Sequence, residues 1–311
     1  KKDLFAAPYD WRKAIAGLDD YWPKLKNLIE HAFESNRNQK VTLFGYSTGG
    51  FSLQYFLGEL AEKEWKEKYI DRAVFLAPSF GGAGSPTIAM WLRNFPLLPF
   101  INSTDLHDLL ETMMVVQTHL PNHVVFGNKT IVRGPYDEDY TASDLPDLYI
   151  KHGKVNGKNI KVLNKSVQIS KKRPKPPGVP MYMIFNSAVD TEMILHFKQG
   201  WDKLPVVQSI PGDGTVAANG PLWAFENWEV DDYPMIFVDV FRDDEQYQHQ
   251  PLASNPYIHQ MIYNATTQDD WLSTRGKVLK RATYAELINA THFVIRPDRR
   301  NESIIDQVNY K

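Results

Sequence analysis

The chain has 311 residues, 35 Lys and Arg against 37 Asp and Glu, and a formal net charge of −2, so no global charge points to nucleic acid. Hydrophobic residues make up 43% of it, enough for a sizeable core in one large domain or two, yet no apolar run approaches the roughly 20 residues of a membrane-spanning helix. There is no cysteine, which excludes disulfides, thiolate catalysis and zinc–thiolate sites.

In chain order, residues 4–8 read as a short strand that ends in a turn at Tyr9-Asp10-Trp11-Arg12. Residues 15–33 read as a helix, with Tyr21, Leu25, Leu28 and Ile29 as its apolar stripe. The β-branched run at 41–44 predicts a buried strand, and 50–60 a helix with Phe51, Tyr55 and Phe56 on one side. Residues 72–78 predict another buried strand, closed by Pro78 and the Gly81-Gly82 pair. This alternation is a parallel α/β pattern. From 81 to 178 the sequence is irregular and reads as a cap or lid insertion over the active edge of the sheet. Its Lys-rich stretch, 151–175, reads as a solvated linker or as a surface for anionic headgroups. Alternation resumes with strands at 179–185 and 234–241. The expected organisation is a core at 1–80, the insertion at 81–178, more core at 179–266 and a C-terminal extension at 267–311.

Gly45-Tyr46-Ser47-Thr48-Gly49 is a G-x-S-x-G pentapeptide between the strand at 41–44 and the helix at 50–60. A strand that feeds a helix through so tight a turn lifts the central hydroxyl above the sheet edge, so Ser47 is the candidate nucleophile. Its hydroxyl needs a base, and the base needs a carboxylate; in an α/β-hydrolase the chain order is Ser, acid, His. Asp213, between Gly212 and Gly214, is the candidate acid. His249 follows the strand at 234–241 and is the candidate base, with His292 as its rival. The N–H of Thr48, the residue after the nucleophile, is one expected oxyanion donor. The loop that normally supplies the second is missing from this sequence. Only one strand is expected before the elbow strand, so N-terminal strands are expected to precede Lys1 or to belong to a separate fragment of the same protein. The chemistry requires no metal or organic cofactor.

Two further patterns bear on function. Residues 88–92 and 95–101 form the most lipid-like stretch, and Trp91, Leu92 and Phe95 are candidate lid and acyl-chain contacts, or else cap core. N-x-S/T sequons begin at Asn102, Asn128, Asn164, Asn264, Asn289 and Asn301, where chance gives roughly one or two. Their number suggests a glycoprotein of the secretory pathway, secreted or in a lysosome-like lumen.

Residues 3–12, with Gly45-Tyr46-Ser47-Thr48-Gly49-Gly50, Ala77-Pro78-Ser79-Phe80-Gly81-Gly82 and Gly212-Asp213-Gly214-Thr215-Val216, resemble the lecithin:cholesterol acyltransferase family, which includes lysosomal phospholipases A that also transfer acyl chains. The resemblance runs from Asp3 to about Thr266. It implies an α/β-hydrolase with a cap that acts on phospholipid esters at a membrane or lipoprotein surface through an acyl-serine, with water or an acceptor alcohol taking the acyl group. Ser47, Asp213 and His249 match the family's nucleophile, acid and base. The family's tryptophan after Ala-Pro is Ser79 or Phe80 here, with one residue extra, and the family's disulfides are absent. A neutral-lipid or short-ester hydrolase, and an inactive lipid-binding module on the same scaffold, are the alternative readings.

Overall fold

The computed structural model describes residues 4–92, 103–229 and 232–282. The strand expected at 4–8 does not form. The chain runs as coil into two 3-10 turns, Trp11–Lys13 and Ile15–Gly17. The Asp10 carboxylate accepts from the Arg12 N–H at 3.2 Å and from its guanidinium at 2.8 Å, and such local bonding favours a turn. The helix expected from residue 15 starts later, as α1 (Trp22–Ser35), with Pro23 in its first turn, where a missing N–H is harmless.

The elbow region follows as β1 (Val41–Tyr46), α2 (Thr48–Tyr55), a π-turn at Phe56–Leu60, α3 (Lys63–Tyr69) and β2 (Ile70–Leu76). Residues 81–178 are more regular than their sequence suggests. They hold α4 (Gly84–Leu92), α5 (Ser103–Leu110), α6 (Met114–Thr118), α7 (His123–Phe126), β3 (Thr130–Arg133), β4 (Asp139–Thr141), α8 (Leu145–Lys151) and α9 (Asn159–Ser170). Then come β5 (Met181–Phe185), β6 (Val189–His196), β7 (Val206–Gly212), α10 (Asn219–Asn227), β8 (Met235–Asp239), α11 (His249–Leu252), α12 (Pro256–Thr267) and β9 (Lys277–Arg281).

The main sheet has the order β1-β2-β5-β8-β9, and every pairing is parallel. Its central strands are apolar on both faces, as a sheet covered by helices on each side requires. Ala73, Phe75, Met181, Met183 and Phe237 enter the largest core cluster, while their neighbours Leu76, Ile184, Ile236 and Val238 enter two smaller clusters. That split is the two-residue period of a strand. β9 lies within the stretch read as a C-terminal extension. Lys277-Val278-Leu279-Lys280-Arg281 has only two apolar residues, as suits a strand on the sheet edge.

A second, four-stranded sheet has the order β4-β3-β6-β7. It joins two strands of residues 81–178 to a hairpin, β6–β7, that lies beyond them in sequence. The end of the Lys-rich stretch is strapped to the core and is no loose linker. Gln54 donates to Lys175 O at 2.7 Å, Trp228 Nε1–H to Pro174 O at 2.7 Å and Asn122 to Lys172 O at 3.0 Å.

Candidate active site

Ser47 joins β1 to α2 with φ 54° and ψ −122°, a strained conformation for a residue with a side chain. Its N–H bonds Leu76 O at 2.9 Å, and its carbonyl accepts from Phe51 N–H at 3.0 Å, so sheet and helix both hold the turn. Two glycines make it possible. A Cβ on Gly45 would lie 2.8 Å from Gly49 O and from Gly50 Cα, and one on Gly50 would lie 2.9 Å from Pro78 Cβ. Gly49, the final glycine of the pentapeptide, has no such neighbour within 4 Å.

Asp213 follows β7 and is buried. Its Oδ1 accepts from Thr215 N–H at 3.0 Å and Val216 N–H at 2.7 Å, a tight loop made possible by Gly214 at φ +88°. Its Oδ2 accepts from His249 Nδ1–H at 2.7 Å, and His249 N–H donates to Asp213 O at 2.8 Å. His249 opens α11, and its Nε2 accepts from Ser47 Oγ–H at 2.8 Å. Ser47, Asp213 and His249 therefore meet in one hydrogen-bonded line. Because Asp213 fixes the proton on Nδ1, the nitrogen facing Ser47 is a free acceptor. The alternative base, His292, lies outside the described residues. Thr48 begins α2, where first-turn N–H groups have no intrahelical partner and the helix dipole is positive.

Three supporting residues escaped the sequence reading. Tyr46 stacks on the His249 ring, with centroids 5.2 Å apart and planes at 26°, and its hydroxyl donates to His249 O at 2.7 Å. Burial, helped by the Asp213 charge, pushes that phenol up to about 12, so it stays a donor. Asn186, just after β5, ties down the loop that leads to His249: Nδ2 donates to Arg242 O at 2.7 Å and to Tyr247 O at 2.9 Å. His119, one of the histidines of the insertion, reaches Thr48 and Ser79. Behind His249, Leu252 is fully buried and Asn255 is the N-cap of α12, accepting from Tyr257 N–H at 2.9 Å.

The lid candidates separate. Trp91 is 5% exposed and packed among Tyr149, Phe197 and Trp201, with centroids 5.7, 4.9 and 5.8 Å away. This packing fits the cap-core alternative, with Phe197 and Trp201 contributed from beyond the insertion. Leu92 is partly buried against the same core, and Phe95 lies outside the described residues. Among the described residues no helix is long and apolar enough to cross a membrane, and no group of three or more His, Cys, Asp or Glu is arranged to hold a metal ion.

Comparison with known proteins gives the same direction as the geometry. The profile of the family described as "Lecithin:cholesterol acyltransferase" matches residues 1–146. "Lecithin-cholesterol acyltransferase-like 1" of Arabidopsis thaliana is 30% identical over 68% of this chain and 51% of its own length. "Lysosomal phospholipase A and acyltransferase" of Rattus norvegicus is 25% identical over 86% of this chain and 60% of its own. "Phosphatidylcholine-sterol acyltransferase" of Gallus gallus is 25% identical over 69% of this chain and 51% of its own. The chain thus spans between half and three fifths of the length of these relatives. It is a relative of the lecithin:cholesterol acyltransferase family.

Proposed function

We propose that the chain is a serine-dependent lipid acyl-ester hydrolase and acyltransferase that works on phospholipids through an acyl-serine intermediate. The observation that carries this reading is the line Ser47 Oγ–H to His249 Nε2, at 2.8 Å, and His249 Nδ1–H to Asp213 Oδ2, at 2.7 Å. The names of two relatives, a phospholipase A and acyltransferase and a phosphatidylcholine-sterol acyltransferase, support the substrate class.

In this reading Ser47 Oγ attacks an ester carbonyl while its proton passes to His249 Nε2. The imidazolium so formed faces the Asp213 carboxylate, which two backbone N–H groups keep in place. Charge on the carbonyl oxygen meets the Thr48 N–H at the start of α2. The tetrahedral adduct collapses, the ester C–O bond breaks, and His249 returns its proton to the departing lysophospholipid oxygen. Ser47 is left acylated. Water or an acceptor alcohol then gives a proton to Nε2 and attacks the acyl carbon, and a fatty acid or a new ester departs as Ser47 regains its hydrogen. The cycle is complete in protons and electrons with these side chains alone. The setting is a secretory or lysosome-like lumen with peripheral contact to a membrane or lipoprotein surface. The exposed sequon residues Asn128 and Asn164 support it.

A fluorophosphonate probe tests the nucleophile: Ser47 of the full chain is expected to be labelled, and Ser47→Ala is not. Phosphatidylcholine vesicles with and without a long-chain alcohol test the products. Lysophosphatidylcholine with free fatty acid is the hydrolytic outcome, and a new ester the transfer outcome. A full chain that neither labels nor releases lysophospholipid refutes the proposal.

A further inference from the structure

A second imidazole lies beside the relay, and the chemistry above does not use it. His119 follows α6 and is 4% exposed. Its Nδ1 is 2.7 Å from Val115 O, which can only accept, so Nδ1 carries the proton and Nε2 is a bare acceptor. Burial, with His249 nearby, pushes this imidazole down to about 4 and keeps it neutral at ordinary pH. The Phe51 ring meets it edge-on, 5.6 Å between centroids at 89°, and fixes its plane.

Two hydroxyls converge on that one nitrogen: Ser79 Oγ at 2.8 Å and Thr48 Oγ1 at 3.2 Å. A neutral imidazole nitrogen has a single lone pair, so it can satisfy one of these donors well and the other poorly. Ser79 holds the shorter bond and is 1% exposed. Thr48, which directly follows Ser47, is half-buried. Its proton is therefore surplus in the resting protein. Thr48 also follows the nucleophile, and only Cα and Cβ separate its hydroxyl from its N–H, so both groups can reach one oxygen.

We propose that Thr48 gives the oxyanion two donors, its backbone N–H and its hydroxyl, and that His119 with Ser79 is the positioning pair that holds the hydroxyl ready. This rests on the acyl-serine reading. The hydroxyl keeps its proton throughout. It turns from a shared, long bond with His119 to a full bond with the charged oxygen, which is the stronger acceptor. Because His119 comes from the insertion, the insertion takes part in setting the oxyanion geometry.

The test is turnover of a short soluble p-nitrophenyl ester, together with fluorophosphonate labelling, for the full chain and for Thr48→Val, Thr48→Ser and Ser79→Ala. Thr48→Val keeps the shape and removes the hydroxyl. It is expected to lower kcat about 10²-fold, as loss of one oxyanion donor does, with KM within about threefold. Thr48→Ser, which keeps the hydroxyl, should recover most of that rate. Ser79→Ala leaves Thr48 as the sole donor to Nε2 and should lower kcat roughly tenfold by holding the hydroxyl back. If Thr48→Val does not fold, Ser79→Ala decides, and an unchanged kcat there overturns the proposal. A wild-type chain labelled at Ser47 beside a Thr48→Val chain of equal kcat refutes the hydroxyl's role alone and leaves the acyl-serine reading intact. Absence of labelling in the wild type overturns both.

Discussion

Asn186→Ala tests how the base is held. Asn186 is 1% exposed, and its amide uses its whole bonding capacity. Besides its two donations, Oδ1 accepts from Arg242 N–H at 3.1 Å and Ala188 N–H at 3.2 Å. It thereby binds both ends of the loop between β8 and His249. Alanine would strand four backbone groups. The carbonyl of buried Tyr247 is the worst placed to find water, and an unsatisfied buried group costs about 1–3 kcal/mol. The other three groups lie nearer solvent and lose about 0.5–1 kcal/mol each. The expected destabilisation is about 2.5–6 kcal/mol, read by urea unfolding of the full chain. Activity should fall further than stability alone accounts for. The His249 ring sits 2.8 Å from Ser47 Oγ, and a displacement of about 1 Å lowers such a reaction by roughly 10²-fold. The rate of fluorophosphonate labelling under folded conditions reads that loss. A destabilisation below about 1 kcal/mol with labelling unchanged would refute the reasoning. The Tyr46 bond to His249 O and the Asn255 bond to Gln246 O at 3.2 Å would then suffice to hold the loop.

The remaining predictions concern the elbow, the insertion and pH. Gly45→Ala should abolish labelling of Ser47, because its Cβ would press on backbone atoms at 2.8 Å, whereas Gly49→Ala should keep labelling and gain about 0.5 kcal/mol in urea unfolding as a helix residue. Equal loss in both would show that the motif's glycines act together. Trp91→Ala should cost about 3–5 kcal/mol of stability, as removal of a packed core ring does, and a loss under about 1 kcal/mol would return Trp91 to the surface. His119 has a folded pKa of about 4 against an ordinary 6.5, so its neutral form is favoured by the fold. Its contribution is complete above pH 6.5 and is lost as pH falls from 6.5 towards 4, by about 3 kcal/mol in all. Urea unfolding at a series of pH values should show that decline in the wild type and a shallower one in His119→Gln; parallel declines would refute it.

What could be read from sequence was what local chemistry marks. A glycine-flanked serine between a β-branched run and a helix, an aspartate between two glycines, and a histidine after a buried strand each carry their signal within a few residues. The parallel strands β2, β5 and β8 were legible for the same reason, since burial on both faces leaves an apolar run. β1 was legible from its β-branched run, although it lies at the end of the described sheet, half-buried and with Phe44 49% exposed, and is not the buried strand expected there. β9 was not, because an edge strand needs few apolar residues and Lys277-Val278-Leu279-Lys280-Arg281 looks like a polar linker. The turn expected at 9–12 forms, with Asp10 bonded to Arg12, but the strand expected before it does not, since none of the described strands pairs with residues 4–8. For Trp91 the sequence left lid and cap core both open, because composition does not say which partner an apolar face meets; here it meets Phe197 and Trp201, about a hundred residues away. His119 is 71 positions from Thr48, and nothing near either residue announces the other.

The second sheet changes what a cap can mean in this molecule. Asp213 stands at the end of β7, whose ladder with β6 runs from Val189↔Gly212 to His196↔Val206. β6 in turn pairs with β3 of the insertion through Val132↔Leu195 and Arg133↔His196. At its other end the insertion bonds the acid's own loop: Ala83 bridges Val216, and Gly84 N–H donates to Thr215 O at 3.3 Å. Ala83 N–H also donates to His119 O at 2.9 Å. The acid loop and the insertion are thus joined by hydrogen bonds, and Asp213 and His119 carry that connection to His249 and Thr48. A hinge motion of the whole insertion would pull Asp213 from His249 and His119 from Thr48 together and dismantle the hydrogen-bonded line. On the acyl-serine reading proposed above, an acyl chain then has to enter while the part of the insertion nearest Ser47 stays still.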